Sequence, residues 1–268
     1  MIEFQRVSKA YGGGALAVED FSLVVDSGRI VVLVGSSGSG KTTLLRMVNR
    51  MVEPTSGRIL IDGADVAERD PVALRRSIGY VMQQGGLLPH RNVIDNIATV
   101  PVLNGMSRRQ ARVSALTLLE RVGLDQSLAR RYPGELSGGQ QQRVGVARAL
   151  AGNPTIMLMD EPFGAVDPIV RRELQDELLR LQSDLGKTIL FVTHDIDEAF
   201  RLADQVVVLR QSALIAQQGA AGDIVAAPAD DFVRTFVGID ATRQLTTTLV
   251  GSRRVAIDQA GRVVGVLS

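Results

Sequence analysis

Through the opening third of the chain, apolar and polar residues alternate. "IEFQRVSKAY", "VEDFSLVVDSG" and "GRILIDGADV" keep a period of two between Gly and Asp turn signals, which predicts antiparallel strands. Near Asn92 the period lengthens. Pro101, Asn104 and Gly105 break a helical pattern there, and "RRQARVSALTLLERVGL" restores it, so a mainly helical subdomain is expected over about 92–148. Beyond it, "PTIMLMDEP", "KTILFVTHD" and "DQVVVLRQ" are short, nearly continuous apolar runs separated by helical stretches, as in parallel strands buried on both faces. One of those stretches, "RRELQDELLRLQSDLG", sets Leu174, Leu178, Leu181 and Leu185 on a single stripe, which reads as core. The pattern predicts an α/β fold with a mainly parallel sheet, an N-terminal antiparallel β subdomain and an inserted helical subdomain.

Past Gly238 the texture changes again. A Thr-rich polar link leads into two alternating runs around Asp258–Gly261, a hairpin signal. The chain is therefore divided into a main domain over 1–238 and a short tail over 239–268.

Composition narrows the classes. At 268 residues with 45% hydrophobic residues, the chain can bury one large core, or one core with a small appendage. A net charge of +1 offers no basic field for nucleic acid, and no run approaches the roughly 20 apolar residues of a membrane span. The absence of cysteine rules out disulfides and Cys-based metal sites. With no signal peptide at Met1, a reducing, cytoplasmic compartment is expected, and any membrane role must come through a partner.

The chemistry starts at "GSSGSGKTT", residues 35–43, which fits G-x-x-x-x-G-K-[ST] between the strand "RIVVLV" and the helix "TTLLRMVNRM". Gly35, Ser36, Ser37, Gly38, Ser39 and Gly40 form a loop whose N–H groups face phosphate oxygens at a helix N-terminus. Lys41 is placed for β- and γ-phosphates, the Thr42 hydroxyl for Mg²⁺, and Thr43 for a backbone contact. "IMLMDE" ends a buried strand on Asp160 and Glu161. Alone, that pair reads as a solvated turn or helix cap; beside a phosphate loop, Asp160 suits Mg²⁺ and Glu161 suits polarising a water. His194, at the end of "FVTHD", either faces the same crevice or is a surface histidine satisfied by Asp195. Gln83 follows the strand "SIGYVM", where a neutral amide can meet Mg²⁺ or the attacking water, with Gln84 as the alternative by one position. Tyr11, in "KAYGGG", offers a ring for stacking on adenine, or is simply a loop residue. His90, in "LLPHRN", reads as a loop residue near a partner surface.

A second glycine-rich helix mouth, "LSGGQQQRVGVARAL", lies between Gln83 and the acidic pair. With the P-loop, the strand-end Gln, "LSGGQ", "MDE", "GAVD" and the strand-end His in that order, residues 1–238 resemble the nucleotide-binding subunits of ABC transporters. The resemblance implies an ATPase using ATP and Mg²⁺, with Ser137, Gly138, Gly139 and Gln140 gripping the γ-phosphate of ATP on a facing subunit. It also implies that Asp167 crosses that interface. Two copies then form a homodimer that closes on ATP and opens on hydrolysis. The helical segment and "GGLLPHRNV", with exposed apolar residues, become the docking place of a permease, the alternative being a simply buried loop. The subunit is expected on the cytoplasmic face of the cell membrane, peripheral through that permease, with an extracytoplasmic substrate-binding protein and no nucleic acid.

The wording "VNRMVEPTSGRILIDGADV" and "MDEPFGAVDPIVRRELQDELLRLQ" further resembles the ATPases of osmoprotectant importers, which take up quaternary amines such as glycine betaine, choline or carnitine. An importer of another small solute such as an amino acid, or a soluble ABC ATPase outside transport, are the alternatives. "RRVAIDQAGRVVGVLS" resembles one strand–turn–strand piece of the CBS modules found in that subfamily, so osmotic gating through a complete pair is not expected.

Overall fold

The computed structural model describes every residue except 13, 84, 85, 165, 239–245, 251, 252, 258–262 and 268. Gln84 and the hairpin turn near Asp258–Gly261 lie outside the described residues. The first half of the chain runs β1 (Ile2–Ala10), β2 (Leu16–Val25), β3 (Ile30–Gly35), α1 (Lys41–Val48), β4 (Ser56–Ile61), β5 (Ala64–Asp65), α2 (Pro71–Ser77), β6 (Ile78–Val81), α3 (Val93–Ile97), α4 (Thr99–Leu103) and α5 (Arg108–Arg121). It continues with α6 (Gly138–Leu150), β7 (Ile156–Asp160), α7 (Pro168–Leu185), β8 (Thr188–Thr193), α8 (Ile196–Leu202), β9 (Gln205–Leu209), β10 (Ile215–Gly219), α9 (Ala221–Ala226), α10 (Asp231–Phe236), β11 (Thr246–Val250), β12 (Arg253–Ile257) and β13 (Val263–Leu267).

The alternating N-terminal runs form an antiparallel sheet in the order β2-β1-β4-β5. Period-two patterning puts Ile2, Phe4, Phe21, Leu23, Val25, Ile59 and Ile61 on one buried face, where Phe4 and Phe21 meet edge to face at 5.2 Å. That face shares one core with Leu44 and Leu45 of α1 and Val31 and Leu33 of β3. The continuous apolar runs form a second sheet, ordered β10-β9-β3-β8-β7-β6, parallel except for β10 on its edge. Every residue of β3, β7 and β8 is buried, which explains why these strands show no alternation. The C-terminal ends of β3, β8, β7 and β6 therefore stand side by side, about 4.8 Å apart from one strand to the next.

The helical subdomain holds α3 to α6. Its first break is not at Pro101, as the sequence suggested, but at Ala98. Pro101 lies in the first turn of α4, where an amide has no intrahelical acceptor to lose, and Val102 N still bonds Ala98 O at 3.1 Å. Ahead of α3, the fully buried Asn96 knots the preceding loop. Its Oδ1 accepts from Leu88 N at 2.8 Å, and its Nδ2 donates to the carbonyls of Leu88, Arg91 and Asn92 at 3.1, 2.9 and 3.1 Å. Leu87 and Leu88 are consequently half-buried, not the exposed pair expected from "GGLLP". In α7 the stripe holds for Leu174, Leu178 and Leu181, while Leu185 in the last turn is half-buried.

The fold divides into two compact units, residues 1–221 and 222–268. Within the second, β11, β12 and β13 form an antiparallel sheet. The Thr-rich stretch that read as a link is thus strand β11, in keeping with the extended preference of β-branched threonines.

Candidate functional site

The loop from β3 to α1 is built by close approach. A Cβ on Gly35 would stand 2.6 Å from Leu209 O and 2.9 Å from Ser39 Oγ, and one on Gly40 would collide with Ala17 O. Gly40 also has φ +93 and is the N-cap of α1, which has no side-chain cap, so the first amides of the helix are left to the loop's mouth. Ser36, Ser37 and Gly38 are exposed there, Ser39 is buried and Thr43 is half-buried. Lys41, only 5% exposed, folds back along the loop and donates to Gly35 O and Ser36 O, each at 2.8 Å, and to Ser39 Oγ at 3.2 Å. Burial pulls the pKa of its ammonium below the ordinary lysine value, against the opposite pull of the Glu161 and Asp160 carboxylates. Such a cradle of amides, one helix end and one desolvated cation fits a polyphosphate.

Two strands away, β7 ends on Asp160, which is buried. Thr42 Oγ1 donates to its Oδ1 at 2.8 Å, joining the phosphate loop to β7. The Tyr80 hydroxyl, on β6, lies 3.3 Å from Oδ2. Burial, and then the neighbouring Asp160 charge, push the Tyr80 phenol up to about 12, so it stays a donor at neutral pH. Among the described residues no group of three or more His, Asp or Glu is arranged to hold a metal. A hydroxyl with one carboxylate nevertheless suits Mg²⁺, which is typically held by one or two protein oxygens plus substrate phosphates.

Glu161 occupies the left-handed region at φ +45, costly for a residue with a Cβ by about 1–3 kcal/mol. Its amide still continues the ladder to Val192 O at 2.9 Å. Its Oε2 takes the Gln83 Nε2 donor at 3.1 Å and lies 3.1 Å from His194 Nδ1. Three neighbouring strand ends thus converge on one carboxylate. Asp195 does not serve His194: it caps α8, accepting from Asp197 N and Glu198 N at 3.0 and 3.2 Å, and pairs with Arg171 at 3.3 Å. Gln83 bonds Glu161 here.

A family model described as "ABC transporter" matches residues 18–164, more than half of the chain. The chain belongs to the ABC transporter family. It is 50% identical over 240 residues to the carnitine transport ATP-binding protein OpuCA of Listeria monocytogenes, covering 90% of this chain and 60% of that protein. It therefore spans less than two thirds of that relative's length. To the glycine betaine uptake system ATP-binding protein YehX of Escherichia coli it is 48% identical over 256 residues, covering 96% of this chain and 82% of that one. Among solved structures, the dimeric ABC transporter cassette MJ0796 superposes with TM-score 0.75 at 35% identity, covering 82% of this chain and 98% of that one. The same cassette in a post-hydrolysis state bound to ADP and Pi gives TM-score 0.75 at 33% identity.

In this ABC chain the second helix mouth is a finished capping box. Ser137 N bonds Gln140 Oε1 at 3.0 Å and Gln140 N bonds Ser137 Oγ at 3.3 Å, with Gly138 and Gly139 in the first turn of α6. Ser137 and Gly138 are exposed. Asp167, also exposed, caps α7 by accepting from Ile169 N and Val170 N, both at 3.1 Å. Tyr11 is 48% exposed, with Lys9 Nζ 5.3 Å from its ring centroid. His90 lines a separate cavity of about 320 Å³ with Arg108 and Tyr132, where Arg112 clamps Asp95 at 2.8 and 2.9 Å and holds its carboxyl below the usual range. Among the described residues no helix is long and apolar enough to cross a membrane.

Tyr80 and Asn96 carry roles the sequence did not disclose. A tyrosine inside a strand pattern reads as core, and an asparagine near a helix start as a cap.

Proposed function

We propose that the chain is the ATP-hydrolysing motor of an importer for quaternary-amine osmoprotectants of the glycine betaine, choline or carnitine type. The observation that carries the motor is the single carboxylate of Glu161 held by Gln83 and His194 beside the Thr42–Asp160 pair. The cargo class rests on the likeness to transport proteins named for carnitine and glycine betaine.

Loop amides from Gly35 to Thr43 and Lys41 bind the phosphates, and Tyr11 stacks on adenine. Thr42 and Asp160 would hold Mg²⁺, which when bound would neutralise charge developing on the phosphoryl group. Glu161 orients a water and takes its proton, while His194 and Gln83 fix the carboxylate's direction and stay close to the reacting phosphate. Ser137, Gly138, Gly139 and Gln140 close on the nucleotide of a second copy, and Asp167 stands at the joint between the copies. In this reading the motor is a homodimer on the cytoplasmic face of the membrane, bound to a permease beside the His90 cavity. An extracytoplasmic binding protein delivers the solute.

The test is ATP hydrolysis by the complex drawn from native membranes through this chain and reconstituted in lipid. Glycine betaine, choline, carnitine, proline and methionine are presented in turn with the binding protein. Stimulation by a quaternary amine is expected. Stimulation by methionine or proline alone would replace the cargo, and a chain that draws out no permease would remove it from transport.

A further inference from the structure

The Asp160 carboxylate is held at both oxygens, and only one of the holders belongs to the phosphate loop. Thr42 Oγ1 takes Oδ1 at 2.8 Å. Tyr80, whose strand is in register with β7 through Tyr80↔Leu158 and Val81↔Met159, brings its hydroxyl to 3.3 Å from Oδ2. Arg46 lies four residues beyond Thr42 on α1, and therefore on the same helix face. Burial raises the phenol's pKa, and the positive charge of Arg46 opposes that rise. The phenol, a donor at neutral pH, gives its hydrogen to Asp160 Oδ2, which as a carboxylate can only accept.

We propose that Tyr80 is a positioning residue that fixes the rotation of the Asp160 carboxylate. It thereby sets the affinity of the site for a divalent cation. Asp160 is too buried for water to take over the vacated lone pair, so a lost phenol bond leaves Oδ2 unpartnered and the carboxylate free to swing about its last side-chain torsion. Oδ1 then spends part of its time turned away from Thr42. Nucleotide binding without metal rests on the loop amides and Lys41, which Tyr80 does not touch. The inference rests on the reading of Asp160 as the metal-holding carboxylate.

The experiment measures binding of a non-hydrolysable ATP analogue to the full chain with Mg²⁺ and with EDTA, the ratio of the two affinities being the magnesium gain. Tyr80→Phe keeps the ring and removes one oxygen. It is expected to match the unmodified chain in EDTA while its magnesium gain falls about tenfold, the worth of one hydrogen bond to a charged group. Asp160→Asn serves as the reference and should lose the gain altogether. If Asp160→Asn keeps its gain, the site reading has failed. If Asp160→Asn loses it while Tyr80→Phe retains it in full, the positioning role is wrong and the site reading stands. Equal weakening of Tyr80→Phe with and without metal would mean general damage and would also overturn the inference. Should Tyr80→Phe not fold, Tyr80→Met, which also lacks the hydroxyl, takes its place with the same expected direction, and an unchanged gain contradicts the inference.

Discussion

Glu161 pays in backbone strain for its place, and its two partners show what that place achieves. A carboxylate with φ +45 at a strand end turns back over the sheet, where Gln83 and His194 each meet Oε2 at 3.1 Å. Glu161→Gln keeps the shape and loses the base. It should bind ATP as the unmodified chain does, and its turnover should fall by about 10²–10⁴, measured by phosphate release. Lys41→Ala should lose binding and turnover together, since a buried cation and its three loop contacts disappear; retained nucleotide affinity in equilibrium binding would contradict the phosphate assignment. These residues were legible in the sequence because each closes a recognisable strand or opens a helix, and the end of a parallel strand fixes where a side chain goes. Tyr80 was not legible. Its partner is 80 residues away, and nothing local distinguishes a strand tyrosine that packs from one that also donates.

Elements were legible where one period dominated. The period-two runs became the antiparallel sheet, and the continuous runs became β7, β8 and β9. Where two tendencies competed, local reading failed: Pro101 sits inside α4 because a bend at Ala98 restarted the helix, and threonines read as a link formed β11. The loop before α3 depends on Asn96, whose amide satisfies one donor and three carbonyls. Asn96→Ala should cost about 1–3 kcal/mol in urea unfolding, the penalty for buried groups left unpaired. At the start of α8, burial raises the Glu198 carboxyl above its ordinary value, while hydrogen bonds from Thr193 and Gln175 oppose that shift. The folded chain therefore holds a proton that the unfolded chain gives up. Stability contributed at this position declines as pH rises from the unfolded pKa of about 4.5 through the higher folded one, and stays lower above it. Glu198→Gln removes that titration, so its urea midpoint relative to the unmodified chain should rise between pH 4.5 and neutrality. A difference independent of pH would show that Glu198 does not titrate upon folding.

At the scale of the molecule, two glycine-rich helix mouths need explaining. The P-loop mouth is lined by Lys41 and the Thr42–Asp160 pair, whereas the Ser137 mouth is an exposed capping box. A two-fold axis that sets each against the other in a second copy gives both mouths a phosphate. A solved cassette with TM-score 0.75 to this chain is dimeric. The most direct test is the solution mass, by light scattering, of Glu161→Gln with saturating ATP and Mg²⁺, with and without Ser137→Arg in the same chain. A composite site predicts twice the chain mass for Glu161→Gln alone and a return to one chain mass when Ser137→Arg is added. A Glu161→Gln chain that stays single at saturating ATP, or a pair that Ser137→Arg leaves intact, would contradict it.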